Sequence, residues 1–161
     1  MKIITIGVYG FEEDQFFQAL QDANVDTFCD IRWRRGVRGS TYAFANSQRL
    51  QNRLGLLGIH YLHRKDLAPS PEIREQQYAV DKETKTAKRQ RTILAEQFIE
   101  AYEHACLTDF EPQSLLDELP EEAKVVAFFC VEREPAACHR SLVADRLVRE
   151  LGWDVAHILP E

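Results

Sequence analysis

The chain has 161 residues, 45% of them hydrophobic, and a formal net charge of −6; that is enough for one domain, spanning residues 1–161, to bury its own core without staples. Its apolar runs fall far short of the roughly 20 residues that span a bilayer, and its opening MKIITIGVYGFEED turns acidic without a secretory core, so a cytoplasmic location and no membrane partner are expected. The four cysteines follow no framework spacing, which predicts reduced thiols rather than structural disulfides.

Lys2 to Gly7 is β-branched and apolar and predicts a strand, after which Val8, Tyr9 and Gly10 turn the chain into a helix over Phe11 to Ala23 with the stripe Phe16, Phe17, Leu20. Val25 to Ile31 predicts the next strand, ending in the charged run Arg32 to Arg38 with Gly36 and Gly39 as breakers. Asn46 or Ser47 caps a predicted helix through Leu50, Leu54 and Leu57 that closes at Gly58, and Ile59 to Leu62 is a third, short strand. From Pro69 to Leu107 the pattern becomes a helical insertion, with a charged tract (Glu72 to Arg89) and an amphipathic one (Arg91 to Cys106). The charged tract has few apolar anchors, so it is either a solvated arm or a lid that orders on binding. Ser114 to Leu119 predicts a short helix, and Asp154 to Leu159 a fifth strand.

Between these lies Val125 to Phe129, an unalternating apolar run too short for a helix, which predicts a central strand covered on both faces. Strands alternating with helices predict an α/β three-layer sandwich of about five mostly parallel strands, with helices on both faces and the insertion near residues 70–107. Ligands in such sheets bind beyond the strand carboxyl ends, where Tyr9 and Gly10, Asp30 and Arg32, His60 and His63, and the loop from Cys130 to Ser141 could gather.

That loop empties into a helix through Leu142, Val143, Leu147 and Leu151, so Cys138, His139, Arg140 and Ser141 stand at a helix start, which favours an anion or a thiolate. Cys130 either extends the apolar strand or joins this chemistry, and Glu132 is a further carboxylate for acid or base work or a partner for an arginine. Asp30 and Arg32, two apart on a strand, point to one face; they pair with each other or flank a ligand, and Asp30 could instead orient Arg140. Cys29 and Cys106 are expected to be core residues. Cysteines with seven residues between them do not match zinc-knuckle spacing, so no metal site and no cofactor are expected.

Charge is segregated. From Ile31 to Lys65 there is no acidic residue, yet the segment carries Arg32, Arg34, Arg35, Arg38, Arg49, Arg53, Arg64 and Lys65. A basic segment in an acidic protein is a footprint for a phosphate-bearing ligand, and Trp33, Tyr42 and Phe44 add faces on which bases could stack; the alternative is a set of solvated or ion-paired arginines.

The sequence resembles the bacterial and archaeal family called domain of unknown function 488, nearly end to end. The likeness rests on Thr5-Ile6-Gly7, Asp30-Ile31-Arg32, GIHYLHRKDLAPSPEIR from Gly58 to Arg74, and the loop from Cys130 to Cys138-His139-Arg140. Many relatives carry His-Ser after the opening glycine where this chain has Val8 and Tyr9, so a role of that histidine does not transfer. The resemblance implies a fold and a site location, not a reaction. A weaker, topological likeness runs to rhodanese and phosphatase folds, whose anion loops end in Arg-Ser, as Arg140 and Ser141 do here; the cysteine spacing differs, since Pro135 stands five before Arg140.

The leading expectation is a binding protein or enzyme that holds a nucleotide or nucleic acid, with Arg32, Arg34, Arg140, Ser141, Asp30 and Tyr9 on the ligand. The first alternative is a thiol enzyme using Cys138 or Cys130, with His139 and Glu132. The second is a non-catalytic interaction module, which would present an apolar patch and no concave polar site.

Overall fold

The computed structural model describes residues 1–161. Strands β1 (Lys2–Gly7), β2 (Thr27–Asp30), β3 (His60–His63), β4 (Val125–Cys130) and β5 (Asp154–Ile158) form one sheet in the order β3-β2-β4-β1-β5. Every pairing is parallel. Alternation along the strands feeds two cores. Ile4, Ile6, Phe28, Ala127 and Phe129 pack with helices α1 (Glu13–Asp22) and α2 (Ser47–Leu56) on one face. Ile3, Cys29, Ile31, Val126 and Phe128 pack with α3 (Pro71–Thr84), α4 (Glu96–Tyr102), α5 (Pro112–Leu116) and α6 (His139–Leu151) on the other. β4 lies in the middle, which is why its sequence does not alternate. No helix is long and apolar enough to cross a membrane.

From β1 through β2 to β3 the chain moves one way across the sheet, and from β4 to β5 it moves the other way. Right-handed crossovers therefore send α1 and α2 to one face and α6 to the opposite face. The two directions diverge around β4, so the carboxyl ends of β2, β4 and β1 border a crevice.

Three local details differ from expectation. Asn46 precedes α2, but its Oδ1 accepts the Val37 N–H at 2.7 Å and does not cap the helix. The tract from Arg91 is not one helix: Leu94 N–H is drawn to the Ala136 carbonyl at 3.0 Å, α4 starts only at Glu96, and a π-turn over Glu103–Leu107 ends it. The charged tract is a folded helix, α3, started by Pro71 and the Ser70 hydroxyl and stopped by Lys85 at φ 57°. Its anchors are polar as well as apolar: beside Ile73, the buried Gln77 and Asp81 bind each other at 2.8 Å, and Gln77 accepts the Ala95 N–H at 2.8 Å. A search for apolar stripes does not see such a face.

Candidate functional site

The site is built on the loop from Cys130 to Cys138, and four contacts clamp that loop. Val8 and Tyr9 N–H groups both donate to the Val131 carbonyl, at 3.1 and 3.0 Å. Arg140, completely buried, donates from Nη1 to the Glu132 carbonyl at 2.7 Å and from Nη2 to the Arg133 carbonyl at 3.0 Å. Gly7 lets the Glu132 carbonyl approach β1 so closely that a Cβ there would stand 1.8 Å from its oxygen. The loop therefore folds back over the end of β1, and Cys138 caps α6 directly beside the end of β4.

Within the loop, the Cys130 and Cys138 sulfurs and the His139 ring nitrogen lie within 4.8 Å of one another, all three residues buried. His139 Nε2 donates to the Ile31 carbonyl at 2.8 Å, because a carbonyl only accepts; this leaves Nδ1, 3.7 Å from Cys138 Sγ, to serve the sulfur. Burial pushes the Cys138 thiol up, but the Cys130 thiol and the His139 and Arg140 charges outweigh it and hold Cys138 well below the ordinary cysteine range. Burial pushes His139 down, and the Cys138 charge more than restores it, so its net direction is upward. Both shifts run toward the thiolate and imidazolium forms of the pair. Cys130 is pushed well up, first by its hydrogen bond with Cys138 and then by burial; Glu132 Oε2, 3.4 Å from its sulfur, is the other acceptor within reach of its one S–H. Burial and the Cys138 charge raise the Glu132 carboxyl.

Two thiols and an imidazole form a donor set that zinc accepts, with Glu132 at hand as a fourth donor. The surroundings oppose a dication, however: Arg140 is buried behind the sulfurs, and Arg91 and Lys88 lie 3.5 and 3.9 Å from Glu132 Oε1.

These groups lie at the base of a cavity of about 580 Å³. Arg32, Arg34 and Arg38 border it from the segment after β2, and Arg74, Lys88, Arg89 and Arg91 from α3 and the chain beyond it. Arg32 is held by its own strand end: Nε and Nη2 grip Asp30 at 2.9 and 2.8 Å, while Tyr61 donates to the same carboxylate at 2.8 Å. Its Nη1 is buried and has no partner, as has Nε of Arg74. Arg89 sits over the rings of Tyr9 and Tyr42, 5.0 and 5.1 Å from their centroids. Arg91 is tied to Asp81 of α3 at 2.5 Å and lies 3.5 Å from Glu132, so it links α3 to the loop.

Of the residues expected from sequence, Tyr9, Arg32, Arg34, Cys130, Glu132, Cys138 and His139 border the cavity. Three do other work. Asp30 is fully buried and orients Arg32, not Arg140. Arg140 and Ser141 stand behind the loop: the arginine clamps its carbonyls, and Ser141 Oγ donates to the Cys138 carbonyl at 2.8 Å. Sequence places a guanidinium at a helix start but does not show which way the preceding carbonyls turn. His60 opens β3 at its amino end, away from the site, and His63 Nε2 bonds the Arg32 carbonyl at 2.8 Å. The basic segment divides: Arg49 and Arg53 pair with α1 through Glu13, and Arg64 pairs with Asp66. Sequence reasoning missed Arg74, Lys88, Arg89 and Arg91. The run Lys88-Arg89-Gln90-Arg91 carried a signal, but it was masked by the acidic residues of the same tract.

Fold and site define a parallel α/β protein whose strand carboxyl edge presents a cysteine and histidine pair beneath a cation-lined cavity. The chain belongs to the family described as domain of unknown function DUF488, whose model matches residues 13–147. No curated protein and no solved structure matches it.

Proposed function

We propose that the protein binds a phosphate-bearing ligand, a nucleotide or a nucleic acid, in this cavity. The observation that carries the reading is Arg32 Nη1: a buried donor without a partner on a guanidinium already locked in place, at the edge of a cavity with six further cationic side chains. Such a donor is preorganised for an anion, and leaving it unpaired costs free energy that a phosphate oxygen would recover. Trp33, half-buried, borders the same cavity and offers an indole ring to a base.

The test uses a fluorescent single-stranded oligonucleotide and a nucleoside triphosphate as probes. Arg34→Ala and Arg89→Ala, both exposed and outside any ion pair, should each weaken binding about tenfold, and each should lower the salt slope for the oligonucleotide by about one. Arg32→Gln should weaken it further. Unchanged affinity and slope in all three would sink the reading.

A second reading is favoured by the contact of Cys138 with His139: a thiol-dependent enzyme in which Cys138 is the nucleophile and His139 stabilises its thiolate. Iodoacetamide should label Cys138 fastest, at a rate that falls only when pH drops through its lowered pKa. Cys106, pushed up to about 11 by burial, should react appreciably only in strong alkali. Equal, slow labelling of all four cysteines would remove this reading and leave the binding role untouched.

A further inference from the structure

We infer that Cys130 and Cys138 form a reversible dithiol and disulfide couple, in which Cys138 attacks a peroxide and Cys130 resolves the product. The inference rests on the second reading above, since it needs Cys138 as a thiolate, but it adds a role for Cys130 and a class of oxidant.

Three placements carry it. Both cysteines border one cavity, which is large enough to admit a molecule as small as a hydroperoxide. The sulfurs belong to one cluster within 4.8 Å, one at the end of β4 and the other at the cap of α6, and a disulfide would close that gap to about 2.05 Å. Each also has its own proton partner: His139 Nδ1 is 3.7 Å from Cys138 Sγ, and Glu132 Oε2 is 3.4 Å from Cys130 Sγ. Two thiols that were only core residues would not each need a titratable neighbour. Cys29 illustrates the contrast: it is fully buried in the apolar layer, its thiol raised by desolvation, and it does not border the cavity.

The chemistry balances with these groups. The Cys138 thiolate attacks the near oxygen of the hydroperoxide, the O–O bond breaks, and the departing hydroxide or alkoxide takes the proton of the His139 imidazolium. Cys138 is now a sulfenic acid. Cys130 gives its proton to the Glu132 carboxylate and attacks the Cys138 sulfur; the S–O bond breaks, and the hydroxide that leaves recovers that proton from Glu132 as water. Two thiols have lost two electrons, the peroxide has gained them, and a disulfide joins β4 to α6. A soluble thiol reverses the change by exchange.

The experiment treats the native protein with one equivalent of hydrogen peroxide, alkylates the remaining thiols, and maps the peptides by mass. The expected product is a peptide pair joined through Cys130 and Cys138, two hydrogens lighter than the sum of its parts and separated again by dithiothreitol, with Cys29 and Cys106 alkylated. In Cys130→Ser the oxidation should stop at Cys138 sulfenic acid, which dimedone traps. The native peptide map decides the matter even if that variant fails to fold. A native protein that yields oxidised Cys138 with Cys130 still free overturns the couple. So does one that yields no cross-linked pair. The iodoacetamide profile distinguishes the failures: fast Cys138 labelling without a disulfide refutes this inference alone, and slow labelling refutes the nucleophile as well.

Discussion

Gly7→Ala should destabilise the protein by about 3–5 kcal/mol, at the upper end of single-substitution effects, and lower the melting temperature by roughly 10 °C or more. The new Cβ would lie 1.8 Å from the Glu132 carbonyl oxygen and 2.7 Å from its carbon, backbone atoms that cannot swing aside, and 3.1 Å from Arg140 Nη1. The φ of Gly7 is not positive, so the cost is steric contact and not backbone conformation. Relief requires the loop to lift, which breaks the bonds from Val8, Tyr9 and Arg140 to its carbonyls. Cys138 alkylation in the folded fraction should then slow, because the cap of α6 moves away from Cys130. Gly55→Ala is the control: Gly55 lies within α2 with nothing near its Cβ position, so the same change should be neutral or stabilise by about 0.5–1 kcal/mol. Thermal denaturation of the two variants checks both. A Gly7→Ala protein that melts within a few degrees of the native one would mean that the loop is not clamped as described.

Asp81→Ala should release the lid. Arg91 and Asp81 are both nearly buried and bonded at 2.5 Å; with Asp81 gone Arg91 keeps only the longer contact to Glu132 at 3.5 Å, so the loss should be about 2–3 kcal/mol, below that of a fully unpaired buried charge. The loss is local, because Arg91 can reach water if α3 swings out, so opening should increase by roughly 30- to 150-fold while the sheet stays folded. Limited trypsin digestion reads this directly, as faster cleavage after Lys82, Lys85 and Lys88. The double variant Asp81→Ala with Arg91→Met removes both charges of the pair but leaves Gln77 and Glu132 without these partners, so it should recover only part of the protection. Cleavage at the native rate in Asp81→Ala would show that the apolar contacts of Ile73 and Leu94 hold α3 and that the ion pair does not.

Both effects fall on contacts that sequence analysis did not anticipate. Arg140 and Ser141 looked like ligand groups because they stand at a helix start, which is a local fact. Their actual partners are carbonyls of the preceding loop, and those carbonyls are presented only because β1 ends in a glycine that lets the loop close over it. The lid cations were missed for a related reason. Arg91 meets Glu132 from 41 positions away, and no pattern of spacing encodes such a meeting. The polar anchors Gln77 and Asp81 left α3 open to two readings, a solvated arm or a lid that orders on binding, although they are buried by the partners that satisfy them.

What the sequence by itself determined is whatever depends on neighbours within a few residues. The short apolar runs specified five strands, the alternation with helices specified parallel pairing, and the adjacency of Cys138 and His139 before a helical stripe placed a sulfur beside an imidazole at a helix cap. The tertiary structure alone decided the strand order, and with it everything that follows from bringing distant strand ends together. It set Cys130 within reach of Cys138, turned Asp30 toward Arg32 and not Arg140, and brought Arg74 of α3 and the cations beyond it to the cavity that the sulfurs border. The physical reason is that propensity, capping and side-chain direction are local properties of the chain. Burial and charge pairing depend on which distant segments share a cavity, and they raise or lower each group only once the sheet has closed around it.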